Sequence, residues 1–237
     1  MLSGLSYNIQ LGKNLLKIVD WLGRFPRQFN IICFQEFPSS QIKLFQSQSS
    51  YVTQFAASFR KKGEIYGELT LVLKKNVKVL SVQTIDLGKS IYEQRMSQTT
   101  GTRSSLVTKL LYNDVTFVLA NTHLAAIASN MHRRKQVRKL IEYLGSSLFA
   151  QQTPMIILGD FNYSSLFGRK GLIKLMHEQQ YTNAYLEDTH KLLNIKDHQL
   201  DYIFYKNIQV KHSKVLNLSF SDHRPITFAL ELLNENK

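Results

Sequence analysis

The segment Ile156-Ile157-Leu158-Gly159-Asp160-Phe161-Asn162 delivers a carboxylate and an amide straight after a run of apolar residues. The run predicts a strand covered on both faces, and Gly159 lets the backbone turn or approach a neighbour closely. Asp160 and Asn162 are two positions apart and face the same way in extended chain. Polar groups at the mouth of a buried strand are costly unless partnered. Oxygen donors of this kind suit a hard divalent cation or the oxygens of a phosphate. Taken alone, the segment reads equally well as an N-cap and turn ahead of a helix near residues 168–179.

The same arrangement recurs along the chain. Asn8, Glu36, His123, Asp201 and the pair Asp222-His223 each adjoin an apolar run. One such residue is ordinarily a cap or a satisfied core partner, and a lone His123 would be read that way. A succession of strand ends that each deliver Asn, Asp, Glu or His is instead the pattern of a site assembled from several strands. The donors are mostly oxygens, and no Cys/His spacing of the zinc type is present. Mg²⁺ suits such a set, because it keeps several waters and needs few protein carboxylates.

Hydrophobic periodicity supplies the elements that must hold these residues. Strands are predicted at 2–9, 30–35, 69–73, 77–85, 104–111, 116–121, 154–158, 200–205, 208–216 and 225–232. The turn at Lys75-Asn76 joins two of them, and Asn113-Asp114 closes a hairpin. Leu15, Ile18, Val19 and Leu22 have helical spacing over 14–22, ended by Pro26. A serine cap opens a short helix over 39–46. The strongest helix spans 130–148, with Val137, Leu140, Ile141, Leu144 and Leu148 on one face. Residues 86–102 show little periodicity and read as a mobile loop, a length uncommon unless functional. Arg103 ends that loop and is a candidate contact to substrate phosphate.

The chain has 237 residues, 43% of them hydrophobic, enough for the core of one large domain over 1–237. Its net charge of +13 and pI near 9.7 favour a polyanionic partner: nucleic acid, an anionic membrane face or phosphorylated substrates. A single cysteine, Cys33 in an apolar run, excludes an intrachain disulfide framework and fits a reducing compartment, the cytoplasm. No apolar run is long enough for a membrane span, and the first strand begins almost at once, without a leader-like N-terminus.

Six segments, in order, resemble the endonuclease/exonuclease/phosphatase superfamily, the DNase I-like fold. They are Ser6-Tyr7-Asn8-Ile9, Phe34-Gln35-Glu36, Asn121-Thr122-His123-Leu124, Leu158-Gly159-Asp160-Phe161-Asn162, Leu200-Asp201-Tyr202-Ile203-Phe204 and Ser221-Asp222-His223-Arg224-Pro225-Ile226. The resemblance implies an α/β (α+β) four-layer sandwich, two packed, mostly antiparallel β-sheets flanked by helices. It implies metal-dependent hydrolysis of a phosphoester, with Mg²⁺ as cofactor and Mn²⁺ able to substitute. Glu36 is similar to the principal metal ligand, with Asn8 and Asp222 beside it. Asp160 resembles the residue that orients the attacking water, and Asn162 a contact to the phosphoryl oxygens. His223 resembles a phosphate-binding histidine oriented by Asp201. His123 matches the histidine of the DNase I-like, sphingomyelinase-like and inositol-phosphatase branches, where the abasic-site endonucleases carry tyrosine.

The motifs leave the substrate open. Basic clusters at Arg60-Lys61-Lys62, Lys74-Lys75, 132–139 and Arg169-Lys170 favour nucleic acid bound by a monomer. Tyr92 is a candidate stacking surface; Phe167 is another, although core packing is favoured for it. A lipid or inositol phosphate substrate is the alternative. An inactive phosphate-binding module is disfavoured because Glu36, His123 and His223 are all present.

Overall fold

Two crossovers with parallel strands set the architecture, one in each of two sheets. The computed structural model describes residues 1–25, 28–46, 50–146, 152–184, 188–192 and 196–232. In the first crossover, β1 (Leu2–Asn8) leads through α1 (Leu15–Gly23) to β2 (Ile31–Pro38), which lies parallel to it with Leu5 opposite Ile32. Both strands are almost wholly buried, β2 through the apolar run Ile31 to Phe34 and β1 with small serines and a glycine between its apolar residues. A 3₁₀ turn and the short α2 (Lys43–Gln46) follow. β3 (Tyr51–Lys61) and β4 (Glu64–Leu73) form a long hairpin. Next come β5 (Lys78–Gly88), α3 (Ile91–Ser97) and β6 (Thr99–Gly101). A second hairpin, β7 (Arg103–Tyr112) and β8 (Val115–His123), enters the second crossover. There α4 (Asn130–Leu144) leads to β9 (Met155–Asp160), parallel to β8. The chain finishes with α5 (Leu166–Glu178), β10 (Thr182–Asn183), a small hairpin of β11 (His190–Leu192) and β12 (Lys196–His198), then β13 (Asp201–Lys206), β14 (Gln209–Val215) and β15 (Ile226–Glu231).

One sheet has the order β14-β15-β1-β2-β4-β3-β6 and the other β10-β13-β9-β8-β7-β5. Every neighbouring pair in them except β1–β2 and β8–β9 is antiparallel. Three cores separate four layers. Leu15, Ile18 and Phe45 pack with Leu5, Phe34 and Leu71 on the outer face of the first sheet. Leu2, Cys33 and Val72 meet Leu119, Leu158 and Ile203 between the sheets. Val137, Leu140 and Leu172 pack with Val118, Ile157 and Tyr202 on the far side. The fold is the expected four-layer DNase I-like sandwich.

Several local expectations are corrected. The strands on either side of Lys75-Asn76 are not partners. β4 belongs to the first sheet and β5 to the second, so the turn carries the chain across the sandwich. β3 was not foreseen; its half-buried residues lack clean alternation. Residues 86–102 are ordered structure, not a mobile loop. β5 runs on to Gly88, the Ser90 hydroxyl caps α3 by accepting from the Glu93 amide, and β6 pairs with β3. The 39–46 segment is a 3₁₀ turn plus one helical turn. α4 stops at Leu144, ahead of Gly145; Leu148 and the predicted breaker Pro26 lie outside the described residues.

Two backbone features bring strand ends to one place. β2 slips register between Phe34 and Phe37, and Glu36 sits in this bulge at φ 57°. Gly159 has φ 128°, and a Cβ there would fall 2.0 Å from the Thr122 carbonyl oxygen, so only glycine allows β9 this close to β8. Asn121 spans the sandwich into the bulge. Its fully buried amide donates to the Phe34 and Leu69 carbonyls, both at 3.1 Å, and accepts from Gln35 Nε2 at 2.8 Å. Asn121→Ala leaves two buried acceptors without their donor, so urea denaturation should show a loss of about 2–4 kcal/mol. An unchanged midpoint would show that the amide does not join the sheets.

Candidate active site

The site lies where the parallel strands end. Asn8 closes β1, Glu36 sits in the β2 bulge, His123 closes β8 and Asp160 closes β9. Carboxyl ends of parallel strands are where α/β sheets place ligands, because the chain turns away there and leaves a crevice. Asp201 opens β13 directly opposite Asp160. Asp222 and His223 precede β15, and His223 forms an isolated bridge to His190 of β11. The candidates at these strand ends therefore converge on one cleft from both sheets.

One carboxylate oxygen lies at the centre. Asp160 Oδ2 accepts from Asn8 Nδ2 at 3.0 Å. It stands 3.4 Å from His123 Nε2 and 3.6 Å from His223 Nε2. His223 Nδ1 bonds Asp201 Oδ2 at 2.7 Å. Burial alone would lower the His223 pKa, but Asp201 and Asp160 outweigh it and raise it. Burial raises Asp160 and Glu36, with His223 opposing in both cases and Arg103 opposing at Glu36. Asp222 Oδ2 accepts from Gln10 Nε2 at 3.1 Å, and Gln10 also gives its amide N–H to Asn8 Oδ1 at 3.0 Å.

His123 is held by a cation, where His223 is held by a carboxylate. Arg103, 4% exposed, places its guanidinium 3.0 Å from His123 Nδ1 and 4.3 Å from the Phe59 ring centre. Glu93 grips the same guanidinium with both carboxylate oxygens. Burial, then Arg103 and His223, push the His123 pKa well below the usual histidine value. Arg103, the expected contact to substrate phosphate, is found buried beside His123. Its Nε and Nη2 donate to Glu93, and Nη1 meets His123. Asn162, at φ 56°, gives its side-chain amide to the Leu124 carbonyl at 3.1 Å and its backbone N–H to Asp160 Oδ1 at 2.9 Å. It therefore ties the ends of β8 and β9 together. Sequence reasoning placed Gln10 at the end of the first strand without giving it a role, and passed over Glu93 and His190. Each acquires its role only through the fold: Gln10 by bonding Asp222, Glu93 by bonding Arg103 and His190 by standing beside Asp222.

The donors fit a divalent cation. Glu36 Oε2 accepts from the Leu11 amide at 3.0 Å, while Oε1 stands 3.7 Å from His123 Nε2. Asp222 raises the Glu36 pKa and Glu36 raises that of Asp160, so the carboxylates repel one another in a space a cation would neutralise. His190, Asp222 and His223 bring ligand atoms within 4.8 Å of one another on the adjoining wall.

No curated protein matches this chain in sequence. Solved structures share the fold at low identity. A mannosyl-6-phosphatase from Bacteroides thetaiotaomicron superimposes with TM-score 0.73 at 16% identity, over 98% of this chain and 100% of that one. The human Nocturnin catalytic domain with bound sulfate gives 0.73 at 19%, over 98% and 94%. D. rerio TDP2 complexed with single-strand DNA product gives 0.72 at 15%, over 97% and 98%. Residues 5–199, which include Asn8, Glu36, His123 and Asp160, match the model for Endonuclease/Exonuclease/phosphatase family 2, and the chain belongs to that family.

Proposed function

We propose that this chain hydrolyses phosphodiester bonds in nucleic acid, with Mg²⁺ as its cation and Mn²⁺ able to replace it. The observation that carries the reading is the convergence of two histidines, oriented by groups of opposite charge, on one carboxylate beside Glu36. Arg103 Nη1 lies 3.0 Å from His123 Nδ1 and 3.5 Å from Nε2; because a guanidinium can only donate, the tautomer with its proton on Nε2 lets Nδ1 accept from it. His223 Nδ1 donates to Asp201, and its raised pKa adds a second proton at Nε2. Both rings then present an N–H to the same small space, one neutral and one cationic. Preorganised donors of this kind stabilise charge on phosphoryl oxygens as water attacks in line and the leaving oxygen departs. Asp160 orients that water, and Asn162 holds Asp160 in place. Glu36, Asp222 and Asn8 would hold the cation, which when bound neutralises charge on the phosphate.

The net charge of +13 favours a polyanion. Nocturnin and TDP2 share the fold, and the TDP2 structure holds single-strand DNA product. No helix among the described residues is long and apolar enough to cross a membrane. We infer a monomer acting in a reducing compartment, the cytoplasm, where the buried thiol of Cys33 needs no partner.

A panel of single- and double-stranded DNA, RNA, sphingomyelin and inositol phosphates tests the assignment. EDTA should abolish turnover of a nucleic acid and Mg²⁺ or Mn²⁺ restore it, and Glu36→Ala should remove most of it while the far-UV spectrum stays unchanged. Hydrolysis of the lipid or inositol phosphates alone would overturn the choice of substrate. Undiminished turnover by Glu36→Ala at limiting metal would overturn the role of Glu36. A second measurement concerns the His223–Asp201 pair. His223→Ala should lower kcat by roughly 10²- to 10³-fold, the value of one preorganised donor. Asp201→Asn should cause much of the same loss, and the double variant little more than His223→Ala alone. Losses that multiply would mean the two residues act separately.

A further inference from the structure

Nine large hydrophobic side chains are exposed among the described residues, and six of them cluster on α3 and at the starts of α4 and α5: Ile91, Tyr92, Met96, Met131, Leu166 and Phe167. Phe167 is 90% exposed and Tyr92 71%, which corrects the assignment of Phe167 to the core. Scattered exposed apolar residues are ordinary; six on one ridge are not. Two hydrogen bonds link the starts of the three helices. The Ser90 hydroxyl, before α3, donates to the Ile127 carbonyl at 2.8 Å, ahead of α4. Asn130 Nδ2, at the start of α4, donates to the Ser165 hydroxyl at 3.2 Å, ahead of α5. A groove of about 220 Å³ between α3 and α4 is lined by Lys89, Tyr92, Met131, His132 and Lys135.

The ridge also adjoins the cleft. The loop from His123 to α4 is held by Arg133, whose guanidinium donates to the Ala125 and Ala126 carbonyls, and by Glu93, which accepts from the Ala126 amide at 2.8 Å. Its other edge takes the amide of Asn162 at Leu124. Exposed cations accompany the apolar side chains: Lys89 shortly before Ile91, Lys135 one turn after Met131 and Lys170 one turn after Phe167.

We propose that this ridge is a platform for single-stranded nucleic acid, with bases stacked on Tyr92 and Phe167 and backbone phosphates on the intervening lysines. The proposal rests on the nucleic-acid reading above and names the form of the substrate. Aromatic faces spaced among cations match a strand of alternating bases and phosphates. A paired duplex hides the base faces that such a ridge would bind. A bilayer fits less well, since the exposed polar caps Ser129 and Ser165 interrupt the apolar side chains and would lose water on insertion.

Fluorescence anisotropy with labelled single-stranded oligonucleotides, a hairpin duplex and equimolar phosphatidylserine/phosphatidylcholine vesicles decides the matter. Single strands should bind more tightly than duplex. Tyr92→Ala and Phe167→Ala should each weaken single-strand binding roughly 5- to 100-fold, the loss of one stacked base, while Tyr92→Phe retains it. Leu80→Ala, a control on an edge strand, should leave affinity unchanged. Equal binding of duplex, insensitivity to both alanine variants, or vesicle binding without oligonucleotide binding would overturn the proposal. Hydrolysis of bis-p-nitrophenyl phosphate by the unaltered protein separates the two readings. Turnover of that diester without single-strand binding defeats only the platform. Single-strand binding without turnover of any ester defeats the hydrolase assignment and leaves the platform standing.

Discussion

The amide of Asn121 is the constraint on which the cleft depends. It leaves the second sheet, crosses the core and satisfies the two carbonyls beside the β2 bulge. A buried donor can be withdrawn only at a cost of about 1–3 kcal/mol per acceptor left behind, so the two sheets are held in one relative register. Glu36 leaves the bulge immediately beyond that bond, and His123 lies two residues beyond Asn121 on the same strand. The separation of Glu36 from His123 is therefore set by hydrogen bonds in the core rather than by the loops around the site.

The charges in the cleft are arranged at the expense of stability. Glu36, Asp160, Asp201 and Asp222 converge on two histidines, of which only His223 is placed to carry a compensating charge, with Arg103 adding its own at Glu36. Arg103 holds His123 neutral from behind, while Glu93 keeps the guanidinium from being a lone buried cation. The remaining excess of carboxylate is a local conflict of the kind folded proteins retain where a ligand resolves it.

Much of this was legible in the sequence wherever one residue reports its own surroundings. Asn8, His123 and Asp160 end apolar runs, and a buried strand that closes on a polar residue is informative without any neighbour. β3 was invisible because it is a half-buried strand with no alternating face. α3 was missed because its seven residues make too short a window for periodicity. Glu93, Gln10 and His190 have meaning only through contacts with Arg103, Asp222 and His223, which are distant in sequence or joined by a fold-dependent approach. Arg103 shows the limit most clearly. A cation beside a predicted loop suggested a phosphate contact, but Glu93 and Phe59 enclose it. Phe167 errs in the opposite direction: an aromatic next to a helix start was assigned to the core and stands in solvent.

The claim that these carboxylates are arranged for a cation is tested most directly by thermal unfolding of the wild type and Glu36→Gln, with and without Mg²⁺ or Mn²⁺. Glutamine keeps the shape and the bond to the Leu11 amide while removing charge. A ligand that binds only the folded state raises Tm, so the cation should stabilise the wild type. Glu36→Gln should be the more stable protein without metal and should lose most of the metal-induced rise. A wild type unmoved by either cation, together with a Glu36→Gln variant less stable than it, would contradict the account.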